Sequence, residues 1–190
     1  MQFIFVNLIV GIMRISGGLY KGRVIVCPPG VIRPAMERMR ESLFSILGDI
    51  SDEPFLDLFS GSGLVGIEAA SRGASPVHLV ESDWKKHPII RGNISFVEQQ
   101  IRLFPSDVFK FLPNVKQQYE IVYADPPFNL KEKDRIGLLI SKHNVLKPSG
   151  LYIIHYPSEE KEVLSLTIGT LKAFDERKYG RSILRFYKES

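Results

Sequence analysis

The chain of 190 residues has one cysteine, Cys27, and therefore no partner for an internal disulfide. A disulfide-stapled secreted scaffold is excluded, and a reducing, cytoplasmic setting is expected. Histidine is scarce as well: His78, His87, His143 and His155 are scattered, and with one cysteine they make no zinc-ligand spacing. No metal site is expected. No apolar run reaches the roughly 18 to 20 residues that a membrane-spanning helix needs, so no membrane partner is expected either. Internal repeats and low-complexity stretches are absent. What remains is 44% hydrophobic and 24% charged residues, the balance of an ordinary folded domain rather than a disordered chain. The length suits one such domain, and a monomer is expected because nothing in the sequence demands a dimer.

An excess of one charge sign is also nearly lacking, since the net charge is only +4. Its distribution is more informative. Between Met13 and Gly48 six basic residues (Arg14, Lys21, Arg23, Arg33, Arg38, Arg40) stand against Glu37 and Glu41, so this segment alone matches the excess of the whole chain. Such a segment favours a polyanionic partner. Met1 to Ile12, by contrast, are uncharged and lack the basic start and cleavage site of a secretory signal. They read as a start-site extension before Met13-Arg14-Ile15-Ser16-Gly17-Gly18, with an extra edge strand as the alternative.

The patterning divides the chain into residues 1–12, a basic hairpin and helix over 13–48, and a larger unit over 49–190. Arg14 to Cys27 alternates basic and apolar residues around Gly17-Gly18 and Lys21-Gly22, which predicts a β-hairpin. Pro34 can open a helix that carries Met36, Met39, Leu43, Ile46 and Leu47 on an apolar stripe to Gly48. From Pro54 the pattern repeats as strand, loop and helix. Strands are expected at Pro54–Phe59, Pro76–Glu81, Ile101–Pro105, Tyr119–Asp125, Gly150–Tyr156, Leu171–Tyr179 and Ser182–Tyr187. Helices are expected at Leu64–Arg72, Trp84–Gln99, Val108–Leu112 and Glu132–Asn144. The expected fold is α/β and Rossmann-like: seven strands, mostly parallel, with helices on both faces. The last two strands are joined by Gly180-Arg181 alone, so one strand must run antiparallel.

Asp57-Leu58-Phe59-Ser60-Gly61-Ser62-Gly63-Leu64-Val65-Gly66 places G-x-G-x-x-G between a strand and a helix. There backbone can approach a ligand closely at a helix N-terminus. A pyrophosphate would be opposed by the Asp57 carboxylate. The ammonium and sulfonium groups of S-adenosylmethionine would be favoured by it, and that cofactor is expected. Asp57, Phe59, Gly61, Ser62 and Gly63 are candidate cofactor residues. Glu81 and Ser82 end the second strand, where a carboxylate can accept both ribose hydroxyls. Asp107 and Val108 follow the third strand; Asp107 can accept from an adenine amino group, cap the next helix, or do both.

Asp125-Pro126-Pro127-Phe128 closes the fourth strand on the same side of the sheet. Two prolines fix an extended backbone and remove two donors, leaving the Asp125 carboxylate and the Pro126 carbonyl as acceptors beside an aromatic face. An amine conjugated to a ring is a poor nucleophile, and two acceptors on its hydrogens can turn its lone pair towards an electrophilic methyl group. Phe128 can stack on the base. Asp125, Pro126, Pro127 and Phe128 are therefore the candidate catalytic residues.

The glycine loop after the first strand and Asp-Pro-Pro-aromatic after the fourth resemble the class I S-adenosylmethionine-dependent amino-methyltransferases. The segment Arg33 to Leu47, the hairpin residues Arg14 to Gly18 with Lys21-Gly22-Arg23, and the closing Lys178-Tyr179-Gly180 with Phe186-Tyr187 are similar to the RsmD family of bacterial 16S rRNA guanine-N2 methyltransferases. The resemblance implies transfer of methyl to N2 of guanine 966 in 16S rRNA or a small-subunit particle. Arg14, Lys21, Arg23, Arg33, Arg38 and Arg40 would then contact RNA phosphates, although Arg33 can instead meet the cofactor carboxylate. Two positions depart from the family pattern: Ala35 stands where threonine is usual, and His155 where glutamate is frequent.

Other readings remain open at this point. The same acceptor array serves adenine N6 or cytosine N4 in DNA or another RNA. A nicotinamide-dependent oxidoreductase would use the glycine loop but leave Asp57 and Asp125 unexplained. A non-catalytic rRNA-binding factor would have little use for either motif.

Overall fold

A computed structural model describes residues 11–28, 34–160 and 164–190. Strands β1 (Gly11–Arg14) and β2 (Val24–Cys27) pair antiparallel, with Met13 opposite Ile25. The hairpin thus begins at Gly11, two residues before the boundary expected from the sequence; residues 1–10 lie outside the described residues. Its loop rests on the rest of the protein. Gly18 has φ +76°, and a Cβ there would lie 1.9 Å from the Ser71 carbonyl oxygen, so a side chain is excluded on two counts.

Helix α1 (Pro34–Leu47) buries Met39, Leu43 and Phe44 along one stripe and ends at Gly48, whose φ of +67° terminates the turn. The central sheet holds β3 (Phe55–Leu58), β4 (Val77–Glu81), β5 (Ile101–Pro105), β6 (Tyr119–Ala124), β7 (Leu146–Pro157), β8 (Thr167–Ile168), β9 (Leu171–Tyr179) and β10 (Ser182–Glu189). Their order is β5-β4-β3-β6-β7-β10-β9-β8. The first five run parallel, and β10 is antiparallel to both β7 and β9.

The sheet has eight strands where the sequence led us to expect seven. The addition is the two-residue β8, antiparallel to β9; Gly169 at φ +59° turns the chain back so that Ile168 faces Leu171. Two residues are too few to show alternation. Strand β7 also starts earlier than Gly150, because its register with β6 is interrupted and Tyr119 pairs with Leu146. Gly150 sits in that irregularity, where a Cβ would meet the Tyr119 carbonyl oxygen at 2.9 Å.

Helices α2 (Leu64–Ser71) and α3 (His87–Ile94) follow β3 and β4, and α4 (Val108–Phe111) and α5 (Lys133–Lys142) follow β5 and β6. The helix expected over Trp84–Gln99 is therefore only α3. Pro88 is in its first turn, where a missing N–H costs nothing; deeper in a helix it would clash with the preceding turn.

Period-two alternation divides the strands between two apolar layers. Phe55, Val77, Leu79, Ile121, Tyr123 and Ile153 pack under α1, α2 and α3. Leu56, Leu58, Val122, Ala124, Tyr152 and Ile154 pack against α4 and α5. The odd-numbered residues of β3, β6 and the end of β7 face the first layer, and this parity determines where Asp57, Asp125 and His155 lie.

Candidate active site

The chain leaves β3 towards β4 and β5, then returns to lay β6 on the other side of β3. Such a reversal opens a crevice beyond the carboxyl ends of the two central strands. A cleft of about 750 Å³ occupies it, lined by Phe59, Gly61, Glu81, Asp107, Asp125 and Phe128 among others. A second cavity of about 240 Å³ adjoins it beneath α1, sharing Met36, Phe59, Gly61 and Asp125.

The glycine loop forms the floor of this region. Phe59, Gly61 and Gly63 all have positive φ, a tight path that carries Gly63 to the N-cap of α2. Ser62 lines the smaller cavity, with its hydroxyl 3.7 Å from the Cys27 sulfur. Asp57 behaves differently from the expectation of a ligand-facing carboxylate. It is buried beneath the loop and accepts a hydrogen bond from the Gly66 N–H at 3.0 Å, and it lines neither cavity. Burial pushes its carboxyl well above the usual carboxylate range, the Gly66 N–H opposes the shift, and the nearby Asp125 and Glu81 add to it. Its parity on β3 points it at α2, so it holds the loop onto the helix.

Glu81 is well placed for a diol. Its Oε2 accepts from the Gly61 N–H and its Oε1 from the Asp83 N–H, both at 2.9 Å, while Lys86 approaches at 3.3 Å. A carboxylate has about four acceptor sites; with Gly61, Asp83 and Lys86 donating, one remains for a ribose hydroxyl, and a second hydroxyl would take the place of the long Lys86 contact. Ser82 lines the same wall. Asp107 caps α4: its Oδ1 accepts from Phe109 and Lys110 N–H groups, and no described residue donates to Oδ2, so both roles read from the sequence are compatible. Val108 is buried in the core below, so its side chain is not a cleft contact.

Opposite the loop, Asp125 follows β6 with its side chain 32% exposed. Pro126, Pro127 and Phe128 line the cleft with it, and Phe128 is half exposed, as a stacking face requires. Two further residues hold this wall: Lys133, which the sequence did not flag, and His155, which it marked only as a departure from the family pattern. Lys133 is buried and donates to the Phe128 and Leu130 carbonyls at 3.0 and 2.7 Å, tying down the loop. His155 donates from Nδ1 to Asp125 Oδ1 at 2.7 Å. The register that pairs Ala124 with Ile154 brings the next residues side by side on the same layer. Nothing in the spacing flags Lys133, whereas strand parity with a known register would have found His155.

The six basic residues separate. Arg14, Lys21, Arg23 and Arg38 are exposed, and Arg23 lies over the Phe96 ring at 4.2 Å. Arg40 corrects the expectation of a phosphate contact. It is 3% exposed, donates to the Arg14 carbonyl at 2.7 Å and lies 3.4 Å from Glu68, so RNA cannot reach it. Arg33 and the side chain of Ala35 lie outside the described residues.

A mostly parallel sheet whose last strand, β10, is inserted antiparallel between β7 and β9, with a glycine loop after its central strand, is the class I methyltransferase fold. The protein SMU.776, solved in complex with SAH, shares that fold at a TM-score of 0.71 and 16% identity, over 94% of this chain and 56% of that one. Residues 13–188 match the family described as Conserved hypothetical protein 95. The chain belongs to that family, and with it to the relatives of ribosomal RNA small subunit methyltransferase D. The Escherichia coli protein of that name is 33% identical over 186 residues, covering 94% of this chain and 90% of its own. The solved structure of the Escherichia coli protein yhhF superposes with a TM-score of 0.83 at 28% identity, over 95% of this chain and 99% of that one.

Proposed function

We propose that the protein transfers a methyl group from S-adenosylmethionine to the exocyclic N2 of a guanine in small-subunit rRNA. The carrying observation is that Asp125 and Gly61 line one cleft together with Glu81, Asp107 and Phe128. The acceptors fit the cofactor: Glu81 would take the ribose hydroxyls, Asp107 Oδ2 the adenine amino group, and the positive-φ loop would lie along the chain between them. When bound, S-adenosylmethionine supplies an electrophilic methyl group.

The remaining chemistry belongs to the chain. A guanine leaves its stack to enter the cleft, and Phe128 holds its plane. Asp125 Oδ2 and the Pro126 carbonyl accept the two amino hydrogens, which turns the nitrogen lone pair towards the methyl carbon. The N–C bond forms as the S–C bond breaks. The surplus proton on nitrogen then passes to Asp125 or to water, so no covalent intermediate with the protein is required. The exposed cations Arg14, Lys21, Arg23 and Arg38 hold RNA phosphates. The Escherichia coli relative's name supports small-subunit rRNA as the substrate; guanine 966 rests on the resemblance to the RsmD family alone.

The test is transfer of labelled methyl from S-adenosylmethionine to undermethylated small ribosomal subunits, with nucleoside analysis of the product. Labelled N2-methylguanosine is expected, with primer extension mapping the position. Label in N6-methyladenine or N4-methylcytosine would replace the proposed substrate. No transfer despite S-adenosylhomocysteine binding would overturn it.

A further inference from the structure

His155 is 2% exposed, and two of its contacts converge on the candidate catalytic residues. Its Nδ1 lies 2.7 Å from Asp125 Oδ1, and its ring stands edge-to-face against Phe128, with centroids 5.9 Å apart and planes at 74°. An ionised carboxylate only accepts hydrogen bonds, so Nδ1 carries the hydrogen. Nε2 is buried and has no partner among the described residues. The ring is therefore held by the two contacts it makes with Asp125 and Phe128 and by the strand beneath it.

Asp125 needs such a partner. Its side chain is 32% exposed and bonded on one oxygen, and no described residue donates to Oδ2. Free to rotate, the carboxylate would present its acceptor in several directions and lose the alignment the amine requires. With Oδ1 tied to a buried ring on the adjacent strand, Oδ2 keeps one direction, towards the cleft. The same ring sets the edge against which Phe128 packs. We propose that His155 is a positioning residue for methyl acceptance, orienting Asp125 through Nδ1 and Phe128 through its ring edge. This inference rests on the amino-methyl transfer proposed above.

Two substitutions separate the contacts. His155→Asn keeps a donor near the Nδ1 position and gives up the ring; His155→Phe keeps a ring and gives up the donor. In methyl transfer to undermethylated subunits, His155→Phe should lower kcat by about tenfold or more while KM for S-adenosylmethionine stays within about twofold. His155→Asn should recover most of kcat while raising KM for the subunit, because the support of Phe128 is lost. Wild-type kcat in the Phe variant would overturn the proposal. If that variant does not fold, a loss of about tenfold in the Asn variant would overturn it instead.

A readout independent of turnover is the nitrogen-15 spectrum of the His155 ring in the wild-type protein. It should show hydrogen at Nδ1 and should shift when Asp125 becomes Asn. Hydrogen at Nε2, or indifference to Asp125, would also overturn the inference. A wild-type protein that transfers no methyl, with the Nδ1 signature present, would instead count against the proposed function alone.

Discussion

The Arg40 guanidinium and the Glu68 carboxylate lie 3.4 Å apart, with 3% and 0% of their side chains exposed. Arg40 Nε has no hydrogen-bond partner among the described residues, so this is an ion pair rather than an aligned bond. Glu68 also accepts from the Ser16 N–H and hydroxyl at 2.8 and 2.7 Å and from Arg72 Nε at 3.1 Å. One buried carboxylate thus gathers the hairpin, α1 and α2. Glu68→Ala leaves Arg40 charged and unpaired in the interior and should cost about 3–5 kcal/mol, read as a lower urea midpoint.

The exposed cations give a different outcome. Lys21→Glu with Arg23→Glu should weaken binding of rRNA about tenfold or more and flatten its salt dependence by about one to two units of slope. Thermal stability should change little, since both side chains are exposed. Unchanged affinity across a salt titration would remove the hairpin from the RNA interface.

Asp125→Ala deletes the acceptor that aligns the amine. Turnover should fall by about a hundredfold or more, the scale of a lost preorganised contact. S-adenosylhomocysteine affinity, measured by calorimetry, should stay within about twofold, because Glu81 and Asp107 are untouched. Surviving turnover would assign the acceptor role elsewhere.

Asp57 predicts a pH dependence. Burial raises its native pKa above the unfolded value of about 3.9, so the native protein keeps the proton to higher pH than the unfolded chain does. The stability from this group is complete below the unfolded value and is lost as pH rises through the native one. Asp57→Asn retains an acceptor for the Gly66 N–H and lacks the titration. Its melting temperature relative to wild type should therefore climb as pH rises from about 4 towards neutrality. A constant difference across that range would place the titration elsewhere.

Both motifs of the site were legible because each is local. The glycine loop and Asp125-Pro126-Pro127-Phe128 carry their backbone requirements in adjacent residues. The strand and helix alternation exposed the central sheet for the same reason. Residues whose role depends on a distant partner were misread or unassigned. Arg40 looks like any basic helix residue until Glu68 is known to lie buried beside it. Asp57 looks ligand-facing until its parity on β3 is set against α2. His155 gains its meaning from the register between β6 and β7, and Asn93 from reaching across to Val26 and the Ser62 carbonyl. The short β8 and the truncated α3 were lost to length and to Pro88.

The pairing of β3 with β6 has a kinetic side. Phe55 lies beside Ile121, and between them the chain completes β4, β5 and three helices. Closing so long a loop carries an entropic cost before any contact repays it, which slows folding of parallel sheets. Because the glycine loop follows one of these strands and Asp125 the other, the same closure event brings both halves of the cleft together. A chain released before β6 has docked would lack the cleft altogether, not hold a weakened version of it.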